Sequence, residues 1–267
     1  MSKAPSIVSS QEARLQRFRC TRTVDTHCHV LPGVDDGPRS MSDALSLCRA
    51  LIADGFTDVI ATPHQLGRWD GSNAPIAIRA SVAELQTQLH KGRLPLNVHA
   101  GAEVRLDERI PQFLGAGKIL TLADQGIYLL LELPLGLNVD PGFLVPYLTR
   151  TGAKIVLAHA ERYDSLVASD ALVEAWVRQG AAIQVNAPSL CGDDAEADAA
   201  WRWMQKGWVS VIATDAHSTN TRRPRMSEAL ELIATRLGEE VARGVCIENP
   251  ARILEGRELL GVVRNQG

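Results

Sequence analysis

The sequence has no apolar stretch long enough to cross a bilayer, no C-x-x-C pair and no long basic run. Each absence removes a class of function. Without about 20 consecutive apolar residues, no membrane insertion is expected. The five cysteines, Cys20, Cys28, Cys48, Cys191 and Cys246, are odd in number and scattered. That reads as reduced thiols of a cytoplasmic protein, not a disulfide framework. They are expected to pack rather than to act as nucleophiles. With no basic run and no aromatic-plus-basic stripe, nucleic acid is not expected as a partner. The formal net charge is −3, which still leaves room for a small anionic substrate, because bound metal ions reverse the sign of a site. Residues 1–20 are polar without an apolar core, so they read as an N-terminal tail or arm, not a secretory signal.

What is present is an alternation. The chain of 267 residues is 45% apolar and 22% charged, ordinary for a globular protein with a sizeable core. From Thr23 onward, short runs rich in Val, Ile and Leu precede longer segments with helical spacing. The runs are 23–27, 56–62, 96–104, 127–133, 153–159, 181–187 and 208–215. Helices are expected over 41–54, 74–91, 141–151, 166–179, 194–206 and 225–236. Ser40 or Ser42 can cap the first helix and Gly55 can close it, while Gly152, Gly180 and Gly207 each stand where a helix ends and a strand begins. Strands this apolar should be parallel and buried on both faces. Seven such units favour an α/β barrel over an open doubly wound sheet, and about 250 residues is one barrel domain. The expectation is one domain over residues 21–267.

Five of the seven histidines fall at or just after the ends of these strands: His27, His29, His64, His159 and His217. Asp35, Glu103, Glu132 and Asp215 occupy similar places. The C-terminal rim of a parallel barrel is where active sites are built. His27 and His29 are two apart in an extended run and face one side, as do Asp215 and His217. Imidazoles mixed with carboxylates suit Mn, Fe, Zn or Co. Glu132 lies in the apolar run LLELP, where a carboxylate is costly unless it is paired or bound to a cation. A salt bridge to a buried Arg is the plainer alternative. Asp36 is expected to serve turn chemistry only. Arg162 and Arg222 offer planar forks for phosphate oxygens; Arg223 and Arg225 read as solvated. His90 sits on a helix, and His99 reads as a hydrogen-bonded core histidine.

The segments DTHCHVLPGVDDGP (25–38), ATPH (61–64), GAEVRL (101–106), LLELP (130–134), LAHAERY (157–163), QVNAPSL (184–190) and ATDAH (213–217) together resemble the polymerase and histidinol phosphatase (PHP) superfamily. Among its branches they look most like the CpsB/CapC-type bacterial tyrosine phosphatases of capsule and exopolysaccharide synthesis. The resemblance implies a distorted (β/α)7 TIM-like barrel with three divalent ions, Mn before Fe, Zn, Co or Mg. His27, His29, Glu103 and Asp215 would match the first ion. Glu103 would bridge to a second, completed by Glu132 and His159. Asp35, His64 and His217 would match the third, and Arg162 and Arg222 the phosphate-binding positions. The implied reaction is hydrolysis of protein phosphotyrosine, on the tail of a bacterial tyrosine kinase, by a hydroxide held between two ions. A small-molecule phosphatase acting on histidinol phosphate or a sugar phosphate is the alternative. An oligomer is compatible with the sequence. Two positions depart from the family: Ala160 replaces a usual Pro and Gln65 a frequent His, the latter followed by the loop LGRWDGSN (66–73).

Overall fold

The computed structural model describes residues 22–137 and 139–261; the arm expected over 1–20 lies outside them. The strands are β1 (Val24–Cys28), β2 (Asp58–Ala61), β3 (His64–Gln65), β4 (Asn97–Ala100), β5 (Glu103–Arg105), β6 (Tyr128–Glu132), β7 (Lys154–Leu157), β8 (Ala182–Asn186) and β9 (Val209–Ala213). They form two parallel sheets, ordered β1-β2-β4 and β3-β5-β6-β7-β8-β9. The single run expected over 96–104 is thus interrupted, whereas that over 56–62 holds β2 and is followed by an unexpected short strand, β3. Pro63 stands between β2 and β3 and has no N–H for a ladder. Gly101 stands between β4 and β5, where a Cβ would lie 2.7 Å from Ile60 Cγ2.

Backbone bonds extend past the named strands. Glu103 N donates to Pro63 O (3.2 Å). At the far side, Asp215 N donates to His27 O (2.8 Å) and His29 N to Ala216 O (2.9 Å), tying the end of β9 to β1. Asp25 strengthens that junction by accepting from Thr214 N (3.0 Å) and from the Thr214 hydroxyl. Burial pushes the Asp25 carboxyl up to about 6 against these bonds.

The helices are α1 (Met41–Ala53), α2 (Pro75–Lys91), α3 (Ile110–Gly115), α4 (Pro141–Thr149), α5 (Asp164–Val167), α6 (Asp170–Arg178), α7 (Ala187–Leu190), α8 (Ala195–Gln205), α9 (Met226–Leu237), α10 (Glu239–Arg243) and α11 (Asn249–Leu254). Ser40 is the cap of α1, its hydroxyl accepting from Asp43 N (3.2 Å), while Ser42 lies inside the helix. The helix expected over 166–179 is two, because Ser169 caps a fresh start at α6. Gly55, Gly152, Gly180 and Gly207 all have positive φ, as their places after helices require.

Two apolar clusters fill the molecule. The larger lies where helices meet strands; the smaller includes Val24, Ile60, Tyr128, Leu130, Val156, Ala182, Val211, Ile253 and Leu254. Alternation along the strands carries the smaller cluster's face upward into polar residues: Tyr128 and Leu130 lead to Glu132, and Ala182 to Gln184 and Asn186. β1 departs from this parity. Val24 packs in the smaller cluster and Cys28 in the larger, although an unbroken strand would put both on one face. The register shows why. Asp25 pairs with Val59 but Cys28 with Ala61, so β1 carries one extra residue. This bulge re-aims the strand.

Candidate metal centre

Asp35, His29, His159, Asp215 and His217 follow strand ends, His27 and Glu132 lie in the last two residues of β1 and β6, and His64 and Glu103 open the short strands β3 and β5. The β1 bulge sends Cys28 outward, where its thiol donates to Ala216 O (3.4 Å), and so turns His27 and His29 the other way. His159 follows β7 with φ +30, and Asp215 follows β9 with φ +51. Left-handed backbone is costly for such residues and persists where the surrounding structure imposes it.

Four groups result, each with donor atoms within 4.8 Å of one another: His27, Glu103 and His159; His27, His29 and Asp215; His64, Glu103 and Glu132; and His29, Asp36, His64 and His217. Glu103 is common to two of them. Its Oε2 lies 3.4, 3.3 and 3.0 Å from His27 Nε2, His29 Nε2 and His64 Nδ1, and its Oε1 lies 2.7 Å from His159 Nε2. Asp215 Oδ1 lies 3.4 Å from His27 Nε2 and 3.6 Å from His29 Nε2. Among the described residues, Glu103 Oε2, Asp215 Oδ1, His217 Nε2 and His159 Nδ1 are buried without a hydrogen bond. Meanwhile the outward nitrogens are occupied. His29 Nδ1 meets Asp35 Oδ2 at 2.6 Å, His27 Nδ1 meets Gln184 Oε1 at 3.0 Å, and His217 Nδ1 meets Asp215 O at 2.8 Å. Imidazoles that ligate metal are held in this way by their other nitrogen.

The electrostatics call for positive charge. Burial opposes charge on Glu103, yet His27 and His159 hold its carboxyl well below the usual range. Burial likewise opposes a proton on His29, but the charge and hydrogen bond of Asp35 raise it well above its ordinary value. His64 is pushed up to about 9 by Asp36 and Glu103 against its burial. His217 is pulled down to about 4, first by burial and then by His29. His217 and His64 hold Asp36 far below the carboxylate range. Burial and the charge of Glu103 push Glu132 up. A buried donor set that raises His29 and His64 in this way fits divalent cations.

One expectation needs correction. Asp36, not Asp35, faces His64 Nε2 (3.4 Å) and His217 Nε2 (3.3 Å). The Asp35 carboxylate is spent on His29 Nδ1, Gly37 N (3.0 Å) and His64 N (3.1 Å). The grouping also differs, since His159 shares a group with His27, and Glu132 with His64. Glu132 shows the salt bridge named as the plainer alternative, although to a partly exposed Arg: Arg105 lies 2.6 Å from its Oε1, while Oε2 lies 3.8 Å from His64 Nδ1. Arg162 and Arg222 both reach Asp215 Oδ2, at 3.3 and 2.7 Å, and remain 42% and 37% exposed. They line a cavity of about 440 Å³ with His64, Glu132, Arg105 and Leu135. His99 is not deep in the core: it is partly exposed and meets Asp58 at 2.8 Å. Arg223 is exposed and Arg225 pairs with Glu228. Cys246 and Arg252 do have the C-x5-R spacing of thiol phosphatases. However, Cys246 is buried in a π-turn with its thiol pushed up by burial, and Arg252 is spent on Glu258 O. Residues without a sequence-based role include Arg105, Gln184, Asn186 and Glu161. Gln184 and Asn186 stood in a quoted motif, but their parity with Ala182 was the only signal.

The two departures have physical accounts. Gln65 is buried, donates to Asn73 O (2.7 Å) and accepts from Leu120 N (2.8 Å), so it pins the loop over 66–73. Ala160 is fully buried at the start of a short 3-10 turn after His159.

Known proteins resemble this chain over most of its length. The tyrosine-protein phosphatase YwqE of Bacillus subtilis is 32% identical over 248 residues, 91% of this chain and 92% of that protein. The tyrosine-protein phosphatase CpsB of Streptococcus pneumoniae is 26% identical, covering 86% of this chain and 98% of that one. A solved structure from work on these two proteins, described as unique metal-dependent tyrosine phosphatases, superposes with a TM-score of 0.83 at 30% identity. It covers 89% of this chain and 96% of its own. Residues 23–255 match the model for capsular polysaccharide synthesis proteins of the CpsB/CapC type, and the chain belongs to that family.

Proposed function

We propose that the chain is a metal-dependent phosphomonoester hydrolase acting on phosphotyrosine in proteins, with the tail of a bacterial tyrosine kinase as substrate in the cytoplasm. The observation that carries this reading is the union, at one cavity, of donor groups sharing Glu103 with two half-exposed arginines on Asp215. Counting β2 with β3 and β4 with β5 as single strands, we read the two sheets as a seven-stranded barrel forming one domain. We assign three ions, with Mn first: one to His27, His29 and Asp215, one to Glu103 and Glu132, and one to Asp36, His64 and His217. Glu103 and His159 complete the set beside His27.

When bound, such ions supply activated water at neutral pH and neutralise charge on phosphoryl oxygens. The protein's own groups do the rest. Arg162 and Arg222 each give one N–H to Asp215 Oδ2, and Arg222 Nη1 also lies 3.8 Å from Asp36 Oδ2; their remaining donors can hold phosphoryl oxygens. Aimed before the substrate arrives, they stabilise charge that develops in transfer. Phenolate has a conjugate acid near pKa 10, so an aryl ester needs little help from a general acid. The exposure of both arginines and of Leu135, 70% accessible at the same mouth, suits a protein substrate rather than a small enclosed one.

The test is elemental analysis of bound metal with Mn-supplemented assays on p-nitrophenyl phosphate, a phosphotyrosine peptide and histidinol phosphate, His159→Ala beside them. Fast peptide turnover, lost in the variant, supports the reading. Turnover confined to histidinol phosphate moves the substrate to a small molecule. No metal and no turnover overturns the reading.

A further inference from the structure

Strand β8 carries an amide pair for which the reaction above has no use. Gln184 and Asn186 are buried at 0% and 6% exposure. Both continue the inward face that begins at Ala182. We propose that they form an amide relay that sets His27 in its Nδ1–H tautomer and turns one oxygen of Asp215 toward the same point. They are positioning residues, and the inference rests on the metal-dependent reading above.

The polarity of the relay follows from one atom that cannot be reversed. The His159 backbone N–H can only donate, and it meets Gln184 Oε1 at 2.9 Å. That identifies the oxygen end of the amide, which an amide's shape alone leaves open. The same oxygen lies 3.0 Å from His27 Nδ1. Nδ1 therefore carries the proton, and Nε2 keeps a lone pair. At its other end, Gln184 Nε2 donates to Asn186 Oδ1 (2.8 Å), which fixes the second amide. Asn186 Nδ2 then donates to Asp215 Oδ2 (3.1 Å). Arg162 and Arg222 donate to that same oxygen. Asp215 Oδ1 is left buried, without a hydrogen bond, 3.4 Å from His27 Nε2. The His27 Nε2 lone pair, 3.4 Å from His29 Nε2, and the unbonded Asp215 Oδ1 are thus aimed together by a strand that gives no ligand atom to the groups itself. Asn186 is held in turn, since its N–H donates to Glu161 Oε1 (2.9 Å), and Ser189 Oγ donates to that oxygen (2.8 Å). In a buried network each bond depends on its neighbours.

Substitution separates the two ends. Gln184→Met removes the oxygen and the N–H together. Gln184→Glu keeps an acceptor for His159 N and His27 Nδ1 but sets an oxygen against Asn186 Oδ1, so the Asp215 end fails. The experiment uses the full chain labelled with 15N-histidine, stripped of metal and held at pH 8.5. His27's tautomer is read by long-range 1H–15N correlation, and Mn and Zn affinity by competition with a chelator. Wild type should show Nδ1–H at His27. Gln184→Met should lose it, with metal affinity lower by about 10- to 100-fold. Gln184→Glu should keep the tautomer yet still lose affinity. Should Gln184→Met fail to fold, wild type and Gln184→Glu carry the test. An Nε2–H signal for His27 in wild type, or unchanged affinity in Gln184→Glu, overturns the relay. Wild type that shows the Nδ1–H signal but takes up no metal supports the relay and sinks the metal-dependent reading instead.

Discussion

Asp35 and Asp36 are chemically alike and adjacent, yet the fold gives them different tasks. Asp35 holds His29 by its Nδ1, while Asp36 reaches across to His64 and His217. Asp36→Asn should therefore remove about one metal equivalent per chain, because that group has no other carboxylate. Asp35→Asn should keep the stoichiometry and weaken affinity by about 10- to 100-fold, as loss of an orienting partner does. Elemental analysis and chelator competition distinguish the two. The sequence could not assign these roles. Turn chemistry suits either Asp, and which one faces inward depends on a loop path that spacing does not encode. The place of Arg222 beside the donor groups was legible, because it follows His217 closely in the chain. Arg222→Ala should lower kcat/KM on a phosphotyrosine peptide by about 10²-fold with its Tm little changed, as read by steady-state kinetics and thermal melts.

At the scale of elements, hydrophobic runs marked all seven strand regions, and glycines and serines marked several helix ends. β3 beyond Pro63 and the break at Gly101 were not read, since β3 is only the polar pair His64–Gln65 and a single glycine does not stand out within 96–104. The short helices α3, α7, α10 and α11 carry too few turns for periodicity to stand out. The loop after β1 shows how an element serves the site. A Cβ at Gly37 would lie 2.4 Å from His29 O, a backbone atom that cannot rotate away. Gly37→Ala should displace the loop that carries Asp35 and Asp36. The expected result is loss of metal from that group together with a lower Tm, measured by elemental analysis and calorimetry. Ser40→Ala, a few residues on, should cost about 1 kcal/mol by urea unfolding through loss of the α1 cap and leave metal content unchanged. The contrast between these two neighbours separates damage to the site from damage to the fold.

In the molecule as a whole, stability and chemistry occupy opposite ends of the strands. Away from the site, Asp58 joins three segments, bonding Arg22 (2.8 Å), Thr57 (2.8 Å) and His99 (2.8 Å). Burial opposes its charge, but bonds to His99, Arg22 and Thr57 prevail and hold the carboxyl below its ordinary 3.8. An acid depressed in the folded state stabilises it above the unfolded value and loses that contribution as pH falls further. Stability should therefore drop below about pH 4, and Asp58→Asn should flatten that limb. Urea unfolding of both chains between pH 3 and 7 is the check, and parallel acid limbs would exclude Asp58 as the source. The same end is sealed by α11, whose Ile253 and Leu254 join the smaller apolar cluster while Tyr128 donates to Arg257 O (2.6 Å). That seal joins distant parts of the chain, and local patterning gave no hint of it.

The extra residue in β1 sets how the strand answers to very small genetic events. Loss of the Thr26 codon would leave Val24 and Cys28 three apart, so even pairing with β2 would return with His27, Cys28 and His29 on the sides they hold now. Flattening of the bulge at constant length would do the opposite and exchange the imidazoles with the thiol. Among naturally varying chains of this kind, β1 can therefore shorten by one residue at this point without passing through an inactive ancestor.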